Sequence, residues 1–161
     1  MTQATIRTAT SADVPAIRAI YAPYVLETSI SFETEVPNEE MLAARIEDAH
    51  LWLVAERAGR VVAYAYAGEH RARAAYRFAC DCSVYVDLGQ RRGGLGSMLY
   101  AQVLTGAKAR GFHTAYGGIT LPNDASVALH ERFGFRHIGT FSEVGWKLGR
   151  WHDVGWWERR L

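Results

Sequence analysis

The sequence contains few cysteines, few prolines and no long apolar segment. Its 161 residues include two cysteines and four prolines. Cys80 and Cys82 lie two residues apart, and on a strand they would share one face about 6.6 Å apart along the chain, which is poor geometry for a disulfide. Two cysteines are also too few for the disulfide framework of a small secreted domain. A metal site would need more cysteine or histidine nearby, so we expect two buried thiols and no metal.

The sequence also lacks a membrane segment and a strong net charge. No apolar run approaches the roughly 20 residues of a transmembrane helix, and the first residues lack the basic and apolar regions of a signal peptide. Lys plus Arg number 18 and Asp plus Glu number 17, which gives a net charge of +1. This balance gives no general argument for nucleic acid or an anionic membrane as a partner. We therefore expect a cytoplasmic protein with no nucleic-acid partner and no membrane partner.

The composition that is present is that of a globular protein. Apolar residues make up 49% and charged residues 22% of the chain, close to the globular average. At about 150 residues per domain, the length predicts one domain over residues 1–161. The spacing of apolar residues predicts the element order β-α-α-β-β-β-α-β-α-β-β. Because hairpins and crossovers both occur in this order, we expect an α+β fold in which helices cover one mixed sheet.

A glycine-rich basic loop is the strongest local signal. Gln90-Arg91-Arg92-Gly93-Gly94-Leu95-Gly96 follows a predicted strand at 78–87 and opens a predicted helix. Glycines let main-chain N–H groups approach a ligand closely, and the helix N-terminus adds partial positive charge. The loop therefore predicts a pyrophosphate site, with a tight turn needed only for packing as the alternative. A Walker A loop would need a lysine before Ser97, and the spacing does not match a dinucleotide-binding fingerprint.

Two motifs together resemble the GCN5-related N-acetyltransferase (GNAT) superfamily. Arg91-x-x-Gly94-x-Gly96 fits that family's R/Q-x-x-G-x-G/A pattern, which holds the pyrophosphate of acetyl-CoA. Further on, Asn123, Leu129-His130 and Gly134-Phe135 resemble its second cofactor motif. The resemblance implies the GNAT fold, with a central mixed, mostly antiparallel sheet flanked by helices, and acetyl-CoA as co-substrate. The cofactor-binding residues that it implies are Val84, Tyr85, Val86, Arg91, Arg92, Gly93, Gly94, Leu95, Gly96, Ser97 and Asn123.

Segments along essentially the whole chain look like the phosphinothricin acetyltransferase branch of that superfamily. They include Val84-Tyr85-Val86, Leu121-Pro122-Asn123-Asp124 and Gly149-Arg150-Trp151-His152-Asp153-Val154. The branch implies acetyl transfer to the amino group of phosphinothricin, methionine sulfoximine or methionine sulfone, by direct attack on the thioester. It also implies a homodimer. The acceptor-binding residues that it implies are Phe32, Arg71, Ala72, Arg73, Asp81, Cys82 and Ser83.

Two side chains are implied to carry the proton transfers. The acceptor amine must be unprotonated to attack, and Asp81 stands where the branch more usually has Glu. Because Asp is one methylene shorter, we expect a bridging water in place of direct contact. His130 stands where many superfamily members carry a tyrosine that protonates the departing thiolate. The structural alternatives are an ion pair of Asp81 with a loop arginine such as Arg77, and a packed, hydrogen-bonded role for His130.

The resemblance further implies a strand bulge and leaves other functions open. A bulge in the strand ending at Val86 would splay the sheet and help expose a main-chain N–H for the thioester oxygen. An enzyme that acetylates a protein N-terminus would favour an acidic groove, whereas the loop at Arg71–Arg77 is basic. A non-catalytic acetyl-CoA-binding module is a further alternative, against which Asp81 and His130 argue. His50, His70 and His152 show no spacing typical of a metal site.

Overall fold

The computed structural model describes residues 3–90 and 93–161. Its centre is a seven-stranded sheet in the order β1-β2-β3-β4-β5-β7-β6. Every neighbouring pair is antiparallel except β4 and β5, which are parallel. The strands are β1 Thr5–Thr8, β2 Leu51–Arg57, β3 Arg60–Glu69, β4 Ala79–Val86, β5 Thr114–Leu121, β6 Arg136–Lys147 and β7 Arg150–Arg160, and the helices are α1 Val14–Glu27, α2 Glu39–Asp48, α3 Leu95–Ala109 and α4 Asp124–Arg132. The predicted α+β class and element order are confirmed.

Helix α1 covers one face of the sheet. Its apolar residues recur at helical spacing, and Ile17, Tyr21 and Tyr24 are buried against an aromatic cluster on β2 to β4. Within that cluster the Tyr85 ring packs edge-on against Tyr21 and Tyr24, with ring centroids 5.1 Å apart in each pair. Such edge-to-face pairs add about 0.5–1.5 kcal/mol each beyond their area burial. This packing holds α1 against β4, the strand that borders the site described below.

Helix α3 covers the opposite face. Leu95, Leu99 and Val103 are fully buried there, against the odd-numbered residues of β2 and the even-numbered residues of β4. Cys80 and Cys82 lie on this face as free buried thiols whose sulfur atoms are 4.0 Å apart, as the strand alternation predicts. Each fully buried leucine stabilises the fold by about 1.5–3 kcal/mol relative to its exposed state.

The sheet opens between β4 and β5. These strands pair only from Ala79 to Asp81 on β4, and the last pair joins Asp81 to Tyr116. Beyond that point β4 stays with β3 up to Val86, while β5 stays with β7. The pairing of β4 with β3 shows no register shift, so the bulge expected in β4 is not found. The opening arises because each strand keeps its outer partner and the two partners diverge as the sheet twists.

The C-terminal hairpin is longer than the sequence predicts. We expect a strand from Gly134 to about Phe141, whereas β6 continues to Lys147 through a register shift between Phe141 and Gly145. Trp146 and Trp151 on this hairpin are 57% and 55% exposed. A period-2 pattern fails to predict the extension because most of β6 is exposed on both faces.

Membrane-spanning helices and metal-binding clusters are both absent from the described residues. Among residues 3–90 and 93–161, no helix has the length and hydropathy needed to cross a membrane. The same residues contain no group of three or more His, Cys, Asp or Glu side chains placed to hold a metal ion.

Candidate active site

A cleft of about 510 Å³ lies at the opening between β4 and β5. Its walls come from the end of β4, the start of α3, the start of α4 and the segment after α1. The predicted cofactor residues that line it are Val84, Val86, Gly93, Gly94, Leu95, Gly96 and Asn123. Tyr24, Ile30, Gln90, Ala125, Ser126 and Leu129 also line it, although we did not assign them to the site. The fold therefore brings the two sequence motifs, about thirty residues apart in the chain, to one cavity.

The main chain of β4 faces this cleft with an unpaired edge. Asp87 N–H donates to Val62 O on the β3 side at 2.9 Å. Because strand groups alternate in direction, the main-chain groups of Val84 and Val86 point the other way, into the opening. The Tyr24 hydroxyl confirms this direction, since it donates to Val86 O at 2.6 Å. This edge can pair with an extended, amide-containing ligand.

The glycine-rich loop ends at the N-terminus of α3. Gly94 is the N-cap residue and has a φ of +71°, a left-handed conformation that favours glycine. Among the described residues other than Gly94 and its two chain neighbours, no atom lies within 4 Å of the position that a Cβ would occupy on Gly94, so these residues leave that space open for a ligand. The first N–H groups of a helix have no helical partner and attract anions. Arg91 and Arg92, which we predict to contribute charge here, lie outside the described residues.

Two predicted cofactor residues point their side chains away from the cleft. Tyr85 packs its ring among the aromatic residues beneath α1, and its main-chain groups, like those of Asp87, lie on the β3 side opposite Tyr64, so no hydrogen-bonding group of Tyr85 faces the cleft. The Ser97 hydroxyl accepts a hydrogen bond from Arg132 Nη1 at 3.3 Å and is not among the described lining residues. Strand alternation explains the first case, and the 100° advance per helical residue explains the second.

Asn123 shapes the far wall as the N-cap of α4. Its Oδ1 accepts from Ser126 N at 3.2 Å. Its amide nitrogen has no hydrogen-bond partner among the residues described and remains available for a ligand. The predicted contact between Asn123 and the cofactor therefore stays compatible with its role as a helix cap.

Asp81 lies at the apex of the opening, where the β4–β5 pairing ends. Its Oδ1 is 2.6 Å from His70 Nδ1, so the partner is this histidine and not Arg77. The Arg77 guanidinium instead lies 4.5 Å over the Phe78 ring and donates to Ala74 O. Burial raises the pKa of Asp81, and the hydrogen bond and charge of His70 oppose this rise. His70 is a site residue that the sequence does not predict, because its spacing is not typical of a metal site and no local pattern links it to Asp81.

His130 is separated from Asp81 by β5. It is buried at 5% exposure, and a Cβ on Gly117 would collide with its imidazole, which places the ring on the α4 side of the sheet. Nδ1 lies 2.7 Å from Ser126 O, an acceptor, so Nδ1 carries the proton. Nε2 then accepts from the Tyr100 hydroxyl at 2.8 Å. Burial lowers the pKa of His130 and favours this neutral form, in which no ring N–H points to the cleft.

The predicted acceptor residues divide into those near Asp81 and those turned away. Arg71 lines a second cavity of about 320 Å³ with His70, and its guanidinium carbon lies 5.7 Å from the centroid of the Trp156 ring. Ser83 shares the Asp81 face and lies opposite Tyr66 in the pairing of β3 with β4. Cys82 points to the α3 core, so a side-chain contact with the acceptor is not supported for it.

The other predicted acceptor residues lie at the rim. Phe32 packs on Gly145 and lies 6.2 Å from the His152 ring, so it ties the segment after α1 to the C-terminal hairpin. Ala72 and Arg73 are exposed in the loop before β4. The structure gives neither residue a contact with Asp81.

A splayed pair of parallel strands, with a glycine-rich helix N-terminus at one end and a half-buried carboxylate at the apex, is typical of acyltransferases that take the acyl group from a CoA thioester. Comparison with known proteins specifies the family. Residues 6–156 match the family described as "Acetyltransferase (GNAT) domain". The chain belongs to this acetyltransferase family, as its motifs predict.

Related proteins share nearly the full length of the chain. The phosphinothricin N-acetyltransferase of Streptomyces viridochromogenes is 43% identical, over 96% of this chain and 86% of that protein. An L-methionine sulfoximine/L-methionine sulfone acetyltransferase of Pseudomonas paraeruginosa is 37% identical, over 98% and 95%. A solved phosphinothricin acetyltransferase from Sinorhizobium meliloti, in complex with AcCoA, is 34% identical with a TM-score of 0.95, over 100% of this chain and 89% of that one.

Proposed function

We propose that this protein is an N-acetyltransferase that moves the acetyl group of acetyl-CoA to the amino group of a small amino-acid-like acceptor. The acceptors would be phosphinothricin, methionine sulfoximine and methionine sulfone. The observation that carries the proposal is the placement of Arg71 beside the Asp81–His70 pair, in a cavity next to the strand opening. A guanidinium binds a carboxylate or phosphinate through two parallel hydrogen bonds, while the Asp81–His70 pair would take a proton from the amine.

The cleft residues fit acetyl-CoA as the acetyl donor. The unpaired edge at Val84 and Val86 suits the amides of an extended pantetheine arm, and the glycine loop and helix N-terminus suit a pyrophosphate. When bound, acetyl-CoA supplies an activated thioester carbonyl. We propose the predicted cofactor set for this contact, with Tyr85 as the β4 residue between Val84 and Val86 and not as a hydrogen-bonding group, and with Arg91 and Arg92 retained as predictions.

The Asp81–His70 pair would remove a proton from the amino group of the acceptor. An α-amino group is mostly protonated near neutral pH and cannot attack a carbonyl in that form. Asp81 lies where β4 and β5 part, so an acceptor held there faces a thioester that enters through the opening. His130 remains a proposed proton donor to the thiolate, which would require its hydrogen bonds to Tyr100 and Ser126 to rearrange.

The exposed hairpin supports a homodimer. Trp146 and Trp151 pack edge-on with ring centroids 5.1 Å apart, and Val144 and Leu148 are exposed nearby. Contiguous exposed apolar side chains of this size are typical of protein–protein interfaces. We propose that a second copy covers this hairpin, and that the protein is a single-domain cytoplasmic enzyme.

An acceptor panel tests the proposal. The purified protein is mixed with acetyl-CoA, and thiol release is followed with phosphinothricin, methionine sulfoximine, methionine sulfone, a polyamine, an arylamine and a basic peptide. We expect turnover with the first three only. Turnover confined to the basic peptide would instead support acetylation of protein N-termini, and tight acetyl-CoA binding without turnover would support a binding module.

A further inference from the structure

His70 occupies the position beside Asp81 where a bridging water is expected. Its ring stacks on Tyr116 with centroids 4.3 Å apart and planes 15° apart. The rings of Tyr76 and Trp156 make edge-to-face contacts with it, with ring centroids 5.9 and 6.2 Å from its own. The hydrogen bond to Asp81 and these three aromatic rings fix the orientation of the imidazole.

The hydrogen bond defines which ring nitrogen can accept a proton. An ionised Asp81 carboxylate only accepts hydrogen bonds, so His70 Nδ1 carries the proton and Nε2 presents its lone pair. No described residue hydrogen-bonds Nε2, and Nε2 is not among the buried polar atoms that lack a partner. It is therefore accessible to solvent, and the His70 side chain lines the 320 Å³ cavity that Arg71 also lines. His130 contrasts with it, because both of its nitrogens are engaged within the protein.

We propose that His70 is the general base of this enzyme, with Asp81 orienting it and stabilising its protonated form. The inference rests on the proposed acetyl transfer and adds a catalytic residue to it. The shorter Asp81 carboxylate gives up direct contact with the amine, and the imidazole extends its reach into the acceptor cavity. An acceptor whose carboxylate binds Arg71 would place its amino group near the His70 ring, since both side chains line the same cavity.

The proton balance of this step is simple. Nε2 takes one proton from the acceptor ammonium and releases it to solvent through the cavity. The amine nitrogen then bonds to the thioester carbonyl carbon, and the carbon–sulfur bond breaks with its electron pair on sulfur. Nε2 takes the second N–H proton and passes it to solvent, and the thiolate takes one proton from the proposed donor His130, which regains it from solvent. One proton is then released per turnover and both histidines return to their starting forms. The charged groups that face His70 are Asp81 from β4 and Arg71 from its own loop, with Tyr76 and Tyr116 as the titratable neighbours.

The test compares His70→Ala with a matched histidine variant, His50→Ala. His50 also packs against an aromatic ring, that of Phe112, with ring centroids 4.6 Å apart, but it lines a different cavity. General bases contribute typically 10²–10⁴-fold, so we expect kcat/KM of His70→Ala to fall by about 10²-fold or more. Acetyl-CoA affinity should stay within about twofold of wild type. Added imidazole should raise the rate of His70→Ala at least about tenfold, because the vacated site opens to solvent. It should leave the rate of His50→Ala unchanged.

A second variant and the wild type distinguish failure of the His70 assignment from failure of the proposed function. His70→Gln retains a donor for Asp81 but no base, so it should lose activity to a similar extent even if the alanine variant folds poorly. Turnover of His70→Gln within about threefold of wild type, or a folded His70→Ala that imidazole does not rescue, would overturn the assignment of His70. Absence of wild-type turnover on all acceptors would instead refute the proposed function itself.

Discussion

Replacing Gly94 by alanine separates the ligand-binding role of the glycine loop from its conformational role. Gly94 has a φ of +71° and open space around the position of a new Cβ. A left-handed conformation costs a non-glycine residue about 1–2 kcal/mol, which should lower the Tm by about 2–8 °C. Gly59 in the β2–β3 turn has a φ of +74° and the same open space, and it is not among the described cleft residues. Gly59→Ala should therefore lose the same stability.

The two variants should differ in acetyl-CoA binding. A methyl group at Gly94 would stand where a phosphate approaches the first N–H groups of α3. Loss of one charge-assisted hydrogen bond of about 1.5–3 kcal/mol weakens binding by about 10- to 150-fold. Isothermal titration with acetyl-CoA measures this directly, and a thermal melt of each variant controls for strain. If both variants bind acetyl-CoA within about twofold of each other, the pyrophosphate assignment of the loop is wrong.

Three further changes test the site from other sides. Asp81→Ala should lower kcat far more than it weakens acetyl-CoA binding; steady-state turnover within about threefold of wild type would show that Asp81 takes no part in proton removal. Arg71→Gln should raise KM for the acceptor by about 10- to 100-fold through loss of a charge-assisted contact, whereas Arg77→Gln should not, and equal KM values would contradict carboxylate binding at Arg71. Tyr100→Phe removes the donor to buried His130 and should lower the free energy of unfolding by about 1–3 kcal/mol in urea titrations, with kcat little changed; a large fall in kcat would instead support proton donation through this pair.

The sequence by itself determined the fold class and the glycine loop. Burial at helical or alternating spacing is a local property, so the order of elements could be predicted, and Gly94 at a helix start follows from the conformation that glycine permits. The cysteines behaved in the same way, because their shared face depends only on strand alternation. The Asn123 cap and the cofactor motifs likewise depend on neighbouring residues.

Only the tertiary structure decided which groups meet at the site. The opening between β4 and β5 depends on where a pairing between distant strands stops, and no local pattern encodes the Asp81–Tyr116 boundary. The contact of His70 with Asp81 depends on the antiparallel pairing of β3 with β4, since His70 directly follows β3 and the last residue of β3 pairs beside Asp81. Ser126 O sets the tautomer of His130 locally, but the partner that engages its other nitrogen is Tyr100, thirty residues earlier on another helix. Hydrogen bonds between distant segments therefore separate the histidine open to the acceptor cavity from the one held within the core.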